Sequence, residues 1–316
     1  MLHTIENDVL RVTVSDKGAE LVSVFDKERN AERIWCANPD VWNRHAPILF
    51  PFVGRVAGNK YRYNGDEYEM KTQHGFARDR EFELVQQGEV QDTEGLCITH
   101  RLRSDEESLK IYPFNFELIV MHVLRKGKAR ELVVTWCIRN LDTEKEMYYS
   151  IGGHPGFSVL TEQGMKRDEM YLEFPEYKNG GGKAELNYLL LDKDGLAVTD
   201  KTYKLELDDG CCAITPDFFD KDALIFENYQ ISQVRLLDKD KKPFVTLTGK
   251  GFPYVGIWSK PDGEFVCLEP WIGRTDDADR GMGAELTSKT GEEQIEPDGT
   301  AVRGYIIEFH RYCRYI

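Results

Sequence analysis

The chain has 316 residues, of which 41% are hydrophobic and 30% are charged, and its formal net charge is -14. This composition permits a sizeable core and excludes a largely disordered chain, while the negative charge argues against nucleic acids and anionic membranes, which select for basic surfaces. Residues 1–10 lack the features of a signal peptide, and no run approaches the roughly 20 apolar residues of a membrane-spanning helix. Seven cysteines, two of them adjacent, argue against a disulfide framework and favour a reducing cytoplasm. We therefore expect a cytoplasmic protein that binds a small molecule, with an oligomeric state that the sequence leaves open.

Short strands separated by turn residues dominate the predicted secondary structure. Residues 9–14 and 19–25 predict a first hairpin, and Asn38 is expected to begin a helical turn that reaches Trp42. The pair Asn64-Gly65, between two tyrosine-rich segments, predicts a second hairpin with a two-residue turn. Further strands are predicted over residues 82–86, 96–102, 109–124, 131–140, 146–151, 203–207, 223–226, 234–237, 244–248, 255–258, the run that ends at 269, and 302–309.

Two segments are predicted to be loops. Residues 178–183 contain three consecutive glycines, and residues 274–297 are acidic and poor in apolar side chains. No repeat of fixed period, low-complexity linker or long amphipathic helix interrupts the strands. The sequence therefore predicts an all-β fold, a large antiparallel β-sandwich, in a single domain that spans residues 1–316.

Two strand ends carry residues that are suited to proton transfer. His154 follows an apolar run and is flanked by two glycines on one side and by Pro-Gly on the other, a composition that presents the side chain instead of packing it. Glu269 closes a second apolar run and is also followed by a proline. The structural alternatives are a satisfied histidine in a turn and a surface carboxylate. The flanking residues favour the functional interpretation, in which the two groups form an acid–base pair.

Five stretches of the sequence resemble the aldose 1-epimerases, or galactose mutarotases, and most closely their LacX-like branch. They follow the family's order, and the tail over residues 305–309 is similar too. The stretches are Ala46-Pro47-Ile48-Leu49-Phe50-Pro51-Phe52-Val53-Gly54-Arg55, His74-Gly75-Phe76-Ala77-Arg78, Gly152-Gly153-His154-Pro155-Gly156-Phe157, Asp222-Ala223-Leu224-Ile225-Phe226 and Cys267-Leu268-Glu269-Pro270-Trp271. The resemblance implies a galactose mutarotase-like β-supersandwich with a sugar site on its concave face, and interconversion of the α and β anomers of an aldohexose.

The family's pattern assigns Glu269 as the base at O1 of the sugar and His154 as the acid at O5. Opening a pyranose requires one base and one acid, so no metal and no other cofactor is expected. A carboxylate is ionised near neutral pH, and an imidazole with a pKa of about 6.5 can donate or accept a proton there. After rotation about the C1–C2 bond the two groups would exchange roles and close the ring on its other face.

Four further residues are candidates for binding the monosaccharide. Arg55 follows a glycine and offers five donors in a fixed fork, although it could instead pair with an acidic neighbour. His74 could position the sugar or serve only as a turn residue, and Asp222 could accept hydrogen bonds from hydroxyl groups or merely begin a strand. Trp258, and also Trp271, could stack on the apolar face of a sugar, although buried core tryptophans are commoner.

Two alternatives retain a sugar pocket. A hexose-6-phosphate mutarotase would need a basic cluster near Arg55, for which Arg78 and Arg80 are the candidates. A non-catalytic sugar-binding or regulatory module would bind the sugar without converting it. A matched histidine and glutamate argue against that module, because a binder needs neither an acid nor a base.

A third alternative is a glycoside hydrolase or lyase on a similar sandwich. Glycosidic hydrolysis generally uses two carboxyl groups that flank the bond. The sequence offers Glu269 together with Asp222 or Glu227. Because these are the only carboxylates that accompany the motifs, mutarotation is the preferred interpretation.

The other histidines are expected to be structural. His310 and Cys313 are three residues apart, but no second pair at metal-binding spacing accompanies them, so a zinc site is not expected. His45, His100 and His122 carry no motif. His122 shares a strand face with apolar residues and is predicted to lie near the core.

Overall fold

The computed structural model describes residues 1–90, 95–159, 165–178 and 183–311, and antiparallel strands dominate it. Its first strands are β1 Leu2–Glu6, β2 Leu10–Ser15, β3 Leu21–Asp26, β4 Ala31–Glu32, β5 Ile48–Leu49, β6 Lys60–Tyr63, β7 Asp66–Glu69, β8 Glu83–Val90, β9 Gly95–Arg103, β10 Phe116–Arg125, β11 Glu131–Asn140, β12 Met147–Tyr149 and β13 Ile151–Gly153. They are followed by β14 Gly156–Ser158, β15 Tyr171–Glu173, β16 Lys183–Leu191, β17 Ala197–Asp208, β18 Cys211–Ala213, β19 Leu224–Phe226, β20 Gln233–Leu237, β21 Pro243–Thr248, β22 Tyr254–Trp258, β23 Phe265–Ile272, β24 Ala284–Glu285, β25 Glu293–Ile295 and β26 Thr300–Phe309.

Helices are short throughout the described residues. One α-helical turn, α1, covers Glu106–Leu109, and 3-10 turns cover Ala57–Asn59, Ala77–Asp79, Arg167–Glu169, Pro175–Tyr177 and Leu286–Ser288. None of the helices in this part of the chain has the length and apolar character that crossing a membrane requires. The strands therefore carry the architecture, and the predicted all-β fold with large antiparallel sheets is confirmed.

One large sheet organises the molecule, and a smaller sheet, β1-β2-β3-β4, precedes it. Antiparallel pairing in the large sheet runs through β8-β9-β10-β11-β26-β21-β20-β15-β18-β17-β16-β19-β22-β23-β13-β5. Strand β23 also pairs with β14. Strand β23 thus lies between β22 on one side and β13 and β14 on the other, and this inner position explains its apolar sequence.

Alternation along the strands separates the core from the opposite face of the sheet. In β11 the alternate residues Leu132, Val134, Trp136 and Ile138 are all buried in the main core. Strand β23 is buried at every position. Because successive side chains point to opposite faces, Leu268 lies in the main core while Glu269 points to the other side. A carboxylate inside an apolar strand is therefore placed on the non-core face.

The turn signals in the first quarter of the chain predicted the local structure well. Asn64 and Gly65 have φ values of 52° and 87° and join β6 to β7, as a two-residue hairpin turn requires. The side chain of Asn38 accepts a hydrogen bond from the Asp40 amide, and the Trp42 amide donates to the Asn38 carbonyl oxygen at 2.9 Å. Both elements are confirmed, the second as a single turn.

Two predicted elements were wrong. The strand predicted over residues 109–124 begins only at Phe116, because Asp105 caps α1 by accepting from the Ser108 amide, and the chain turns before the strand starts. The predicted surface loop over 274–297 contains β24 and β25 and carries buried charges. Lys289 lies 3.1 Å from Asp276, and both are buried. An acidic composition poor in apolar residues predicts a solvated loop. It does not reveal that opposite charges in the segment pair with one another and can therefore be buried.

Residues 179–182 of the predicted glycine-rich loop lie outside the described residues, and so does Cys313. The predicted single-domain organisation of residues 1–316 stays a prediction.

Candidate active site

A cavity of about 260 Å³ opens on the non-core face of β22 and β23. Residues from several distant segments line it, and those with polar or aromatic side chains are Trp42, Gln73, His74, Arg78, His154, Asp222, Trp258, Lys260, Glu269, Trp271 and Thr275. The volume is close to the lower end of small-molecule pockets, which span about 300–1,000 Å³. The cavity therefore has room for one small ligand.

His154 lies in the link between β13 and β14. Its backbone amide donates to the Pro47 carbonyl oxygen at 3.1 Å, which fixes this link against the proline-broken segment before β5. The residue is 8% exposed, and it lines the cavity. Trp42 packs against it, with ring centroids 5.0 Å apart and planes tilted by 31°. The position of the imidazole is thus fixed by the backbone on one side and by an indole on the other.

Glu269 lies on β23, directly opposite Gly256 of β22, and is 1% exposed. Its neighbour on the same face of β23, Trp271, fits between two glycines. A Cβ atom on Gly256 would lie 2.3 Å from the Trp271 ring, and one on Gly152 would lie 2.5 Å from it. Both glycines are required for space, and this explains one of the two glycines that precede His154.

The His154 and Glu269 side chains meet at the floor of the cavity. His154 Nε2 lies 3.2 Å from Glu269 Oε2. The contact lacks hydrogen-bond geometry, and Glu269 Oε2 and His154 Nδ1 are buried without a hydrogen-bond partner among the described residues. Buried polar atoms are normally satisfied, so unpaired ones beside an open cavity indicate a place where a ligand supplies the partner.

Burial sets the protonation of this pair. It raises the pKa of the Glu269 carboxyl well above its usual value, an effect that the nearby Trp271 indole opposes and the charge of Asp222 reinforces. Burial also lowers the pKa of the His154 imidazole to about 3. Desolvation penalises the charged form of each group, so burial favours a neutral carboxyl beside a neutral imidazole.

His74 is a neutral donor at the cavity wall. The Gly54 amide donates to its Nδ1 at 3.0 Å, so Nδ1 carries no proton and Nε2 carries one. Burial and the charge of Arg78 lower its pKa well below the usual value for histidine. The His74 ring is perpendicular to that of His154, with centroids 5.7 Å apart. An Nε2–H group therefore stands beside the reactive pair.

The structure places Arg78 in the cavity and not Arg55, which the sequence had suggested as a ligand-binding residue. Arg78 lines the cavity, where burial lowers its pKa to about 10, and it donates to the Gln73 carbonyl oxygen at 2.6 Å. The Arg55 side chain packs against Gly195 and lines a neighbouring cleft instead of the cavity. Arg80 forms an ion pair with Asp105 at 3.2 Å. Arg78 is thus the arginine placed to touch a ligand in the cavity.

Asp222 and Trp258 both line the cavity. Asp222 is exposed, has a φ of 70°, and accepts a hydrogen bond from the Ala223 amide through Oδ1. Trp258 is half-buried, and its ring is nearly perpendicular to those of His154, at 5.6 Å, and Trp42, at 5.4 Å. Sequence reasoning missed Trp42 as a site residue, and the only available signal was the Asn38 turn that carries it.

One group of side chains, two of which line the cavity, has donor atoms close enough together to be tested as a metal site. The donor atoms of His154, Cys267 and Glu269 lie within 4.8 Å of one another. A metal needs the thiolate form of cysteine, whereas burial raises the pKa of the Cys267 thiol well above its usual value. This group therefore fits a metal poorly.

Comparisons of the sequence with a family model and with known proteins indicate the same family. The model of the family described as aldose 1-epimerase matches residues 1–180. Protein LacX, encoded on a plasmid of Lactococcus lactis subsp. lactis, is 30% identical over 311 residues, which cover 96% of this chain and 97% of that protein.

Two solved structures share the whole architecture. A galactose mutarotase related enzyme from Lactobacillus acidophilus superposes with a TM-score of 0.87 at 32% identity and covers 98% of each chain. A galactose mutarotase-like protein from Lactobacillus casei ATCC 334 gives a TM-score of 0.83 at 29% identity, covering 98% of this chain and all of that one. The predicted galactose mutarotase-like fold and the resemblance to LacX are both confirmed, and the chain belongs to the aldose 1-epimerase family.

Proposed function

We propose that the protein interconverts the α and β anomers of a free aldohexose, with Glu269 as the base at O1 and His154 as the acid at O5. The observation that carries the proposal is the contact of 3.2 Å between His154 Nε2 and Glu269 Oε2 at the floor of a ligand-sized cavity. The oxygens O1 and O5 are bonded to the same carbon, so two adjacent proton carriers can serve both of them.

The reaction begins when Glu269 takes the proton of the anomeric hydroxyl group. The C1–O1 bond becomes a carbonyl, the C1–O5 bond breaks, and the imidazolium of His154 gives its proton to O5. After rotation about the C1–C2 bond, His154 takes the proton back as O5 attacks the other face of C1, and Glu269 returns a proton to O1. The pair holds one proton in total before and after each step, so no other reactant is required.

The buried environment suits this exchange. In the ring-opened state both groups are neutral, which is the state that burial favours. The cyclic sugar favours the charged state, because O1–H donates to the carboxylate of Glu269 and O5 accepts from the imidazolium of His154. The bound sugar thus offsets the preference for the neutral pair that burial creates, which assists proton transfer in both directions. A positioned acid or base contributes typically about 10² to 10⁴ in rate.

The surrounding side chains supply the groups that hold a sugar. His74 offers its Nε2–H as a donor, and Arg78 offers a guanidinium at the cavity wall. Asp222 offers acceptors for hydroxyl groups, and Trp258 offers an aromatic surface for the apolar face of the ring. Arg55 would assist only a ligand that extends into the neighbouring cleft.

A phosphorylated hexose is the second candidate substrate. Arg78 and Lys260 both line the cavity, against one exposed carboxylate, Asp222.

The hydrolase alternative lacks comparable support. Glu227 is engaged by Arg274 at 2.6 Å and does not line the cavity, which leaves Glu269 with only Asp222 as a second carboxylate.

The experiment is polarimetry of freshly dissolved α-glucose, α-galactose and hexose 6-phosphates with and without the purified protein. The proposal predicts faster approach to an unchanged anomeric equilibrium with at least one free aldohexose. Acceleration with phosphorylated sugars alone would favour the second candidate. Sugar binding without acceleration for any of these compounds would favour a non-catalytic binding module and overturn the proposal.

A further inference from the structure

We propose that the protein binds one divalent transition-metal ion such as Zn²⁺ between His3, Asp16 and His100, where the ion joins the smaller sheet to the large sheet. One donor atom from each of the three side chains lies within 4.8 Å of the other two. These side chains and the Met1 amino group, which contacts Asp16, are here called the Asp16 cluster. None of the four residues lines the cavity, so the proposed metal site is separate from the sugar chemistry.

Three separate elements bring the ligands together. His3 lies on β1, Asp16 directly follows β2, and His100 lies on β9. On β1 the alternate residues His3 and Ile5 are covered, while the other residues of the strand are exposed. Strands β1 and β2 belong to the smaller sheet and β9 to the large one. An ion held by these three side chains would therefore cross-link the two sheets.

Both histidines direct the same ring nitrogen at the same carboxylate oxygen. His3 Nε2 lies 2.7 Å and His100 Nε2 lies 3.1 Å from Asp16 Oδ1. The Met1 amino group contacts the other oxygen, Oδ2, and leaves the position between the two imidazoles to Oδ1. Ligand atoms at about 2.0–2.2 Å from a tetrahedral zinc ion lie roughly 3.3–3.6 Å from one another. Binding thus requires side-chain shifts of less than about 1 Å from the observed contacts.

Two imidazoles and one carboxylate form a suitable ligand set for such an ion. Imidazole nitrogen is a good ligand for zinc, copper, iron and nickel, and two histidines with one carboxylate hold zinc in known metalloenzymes. Three protein ligands leave the fourth position of a tetrahedral ion to water. The donor set therefore favours a transition-metal ion over calcium or magnesium, which prefer oxygen ligands.

The protonation of these ligands suits a metal better than that of the group that contains Cys267. Burial would raise the pKa of Asp16, but hydrogen bonds from the Met1 amino group and both histidines hold the pKa below its usual value. Burial lowers the pKa of His100, and a neutral imidazole is the form that binds a metal. The Cys267 thiol, by contrast, has a raised pKa and resists conversion to the thiolate that a metal needs.

The Asp16 cluster is accessible from one side. Met1 is exposed, and the side chains of His3 and Asp16 keep 11% and 12% of their surface, whereas His100 is completely buried. An ion therefore reaches its ligands from the side of β1. Because only the folded chain brings the three ligands together, the bound ion should stabilise the fold.

The experiment is isothermal titration calorimetry of zinc chloride into protein that begins at Met1, carries no histidine tag and has been freed of metal by a chelator. We expect the wild type to bind one Zn²⁺ per chain. His3→Ala and Asp16→Asn should each weaken binding by at least the roughly 10- to 100-fold that loss of an outer-shell partner costs. In urea unfolding, free Zn²⁺ at about 100 times its dissociation constant should shift the wild-type folding equilibrium by about 100-fold.

Two further variants serve as matched controls. His45→Ala removes a histidine that lies 3.7 Å from a carboxylate, Glu20, but belongs to neither group of candidate metal ligands among the described residues. Glu269→Gln removes one ligand from the group that contains Cys267. Neither variant should change the affinity or the stoichiometry of Zn²⁺ binding. A loss in either control as large as that in His3→Ala would place the ion elsewhere and overturn the proposal.

A wild-type protein that binds no Zn²⁺ would also overturn the proposal, and so would unchanged binding in both variants of the Asp16 cluster. Binding that is lost in His3→Ala but kept in folded Asp16→Asn would show that the ion does not use the carboxylate, which contradicts the proposed ligand set. If a variant folds poorly, anomalous X-ray scattering from wild-type crystals grown with Zn²⁺ decides the question. A zinc peak between His3, Asp16 and His100 supports the proposal, and a map without that peak contradicts it.

Discussion

Among the described residues, two contacts between histidine and a carboxylate are buried, and their surroundings differ. At the cavity floor, His154 and Glu269 approach to 3.2 Å, and Glu269 Oε2 has no hydrogen-bond partner among the described residues. Between β1, β2 and β9, His100 Nε2 lies 3.1 Å from Asp16 Oδ1, a contact of almost the same length. Distance alone therefore does not separate a reactive pair from a structural one.

The second contact belongs to the Asp16 cluster, in which both carboxylate oxygens have partners although His100 Nδ1 is buried without one among the described residues. His3 Nε2 also reaches Asp16 Oδ1, at 2.7 Å, and the Met1 amino group donates to Oδ2 at 2.7 Å. Burial would raise the pKa of Asp16, but these partners together with His100 outweigh it and hold the pKa below its usual value. Asp16 is thus an ionised carboxylate with both oxygens engaged, whereas burial favours the neutral form of Glu269. We infer that unsatisfied polar atoms facing a cavity, more than proximity, mark the reactive pair.

The largest effect is expected from replacing the reactive pair. Glu269→Gln and His154→Gln should each lower kcat/KM for anomer exchange by about 10² to 10⁴, because each removes one positioned proton carrier. Polarimetry measures the loss, and circular dichroism checks that each variant is folded. Wild-type rates in both folded variants would remove these residues from catalysis.

A smaller effect is expected from crowding the indole beside Glu269. Gly256→Ala places a Cβ atom 2.3 Å from the Trp271 ring, so the indole or the strand has to move. Overpacking of this kind costs typically about 1–3 kcal/mol, and the displacement next to Glu269 should reduce activity as well. Urea unfolding and polarimetry measure the two losses. Gly281→Ala is the control, because its Cβ would meet no atom within 4 Å, and an equal loss there would contradict the explanation.

Replacing Asp16 in the Asp16 cluster should change the stability of the protein and leave its catalytic rate unchanged. Asp16→Asn leaves the completely buried His100 with a weaker partner, which should cost about 1–3 kcal/mol in the free energy of unfolding. Activity per folded molecule should be unchanged, because the cluster does not line the cavity. A loss of activity comparable to that of Glu269→Gln, in a folded variant, would erase the proposed distinction between the two contacts.

The smallest effect concerns the pH dependence of stability. Burial lowers the pKa of His122 to about 3, so below about pH 6.5 the unfolded chain takes up a proton that the folded chain refuses. Stability should therefore fall as the pH drops from 6.5 towards 3, by at most about 1.4 kcal/mol per pH unit for this residue. His122→Leu should flatten the slope between pH 7 and pH 5 in urea unfolding experiments. An unchanged slope would show that His122 is protonated or exposed in the folded state.

The sequence predicted the catalytic candidates and most strands because their signals are local. His154 and Glu269 each end an apolar run beside glycine or proline, and such runs read as inner strands. The pair Asn64-Gly65 is typical of the two-residue turn of a β-hairpin. His122 was expected near the core, and its strand alternation placed it there.

The parts that the sequence did not predict depend on contacts between distant segments. Arg55 and Arg78 look alike in sequence. In the structure the Arg55 side chain packs against Gly195, whose carbonyl oxygen accepts a hydrogen bond from Thr275 Oγ1, and it does not line the cavity. Trp42 reaches His154 only because the chain folds back after β4. The segment that contains residues 274–292 was predicted to be a solvated loop because amino-acid composition does not show which charges form buried ion pairs.

The most direct test of the central claim is exchange NMR between the α and β H1 signals of an aldohexose at equilibrium. The wild type, Glu269→Gln and Asp16→Asn are measured under identical conditions at equal concentrations of folded protein. The account predicts exchange well above the spontaneous rate for the wild type and Asp16→Asn, and near-spontaneous exchange for Glu269→Gln. Equal exchange in all three samples, whether fast or absent, would contradict it.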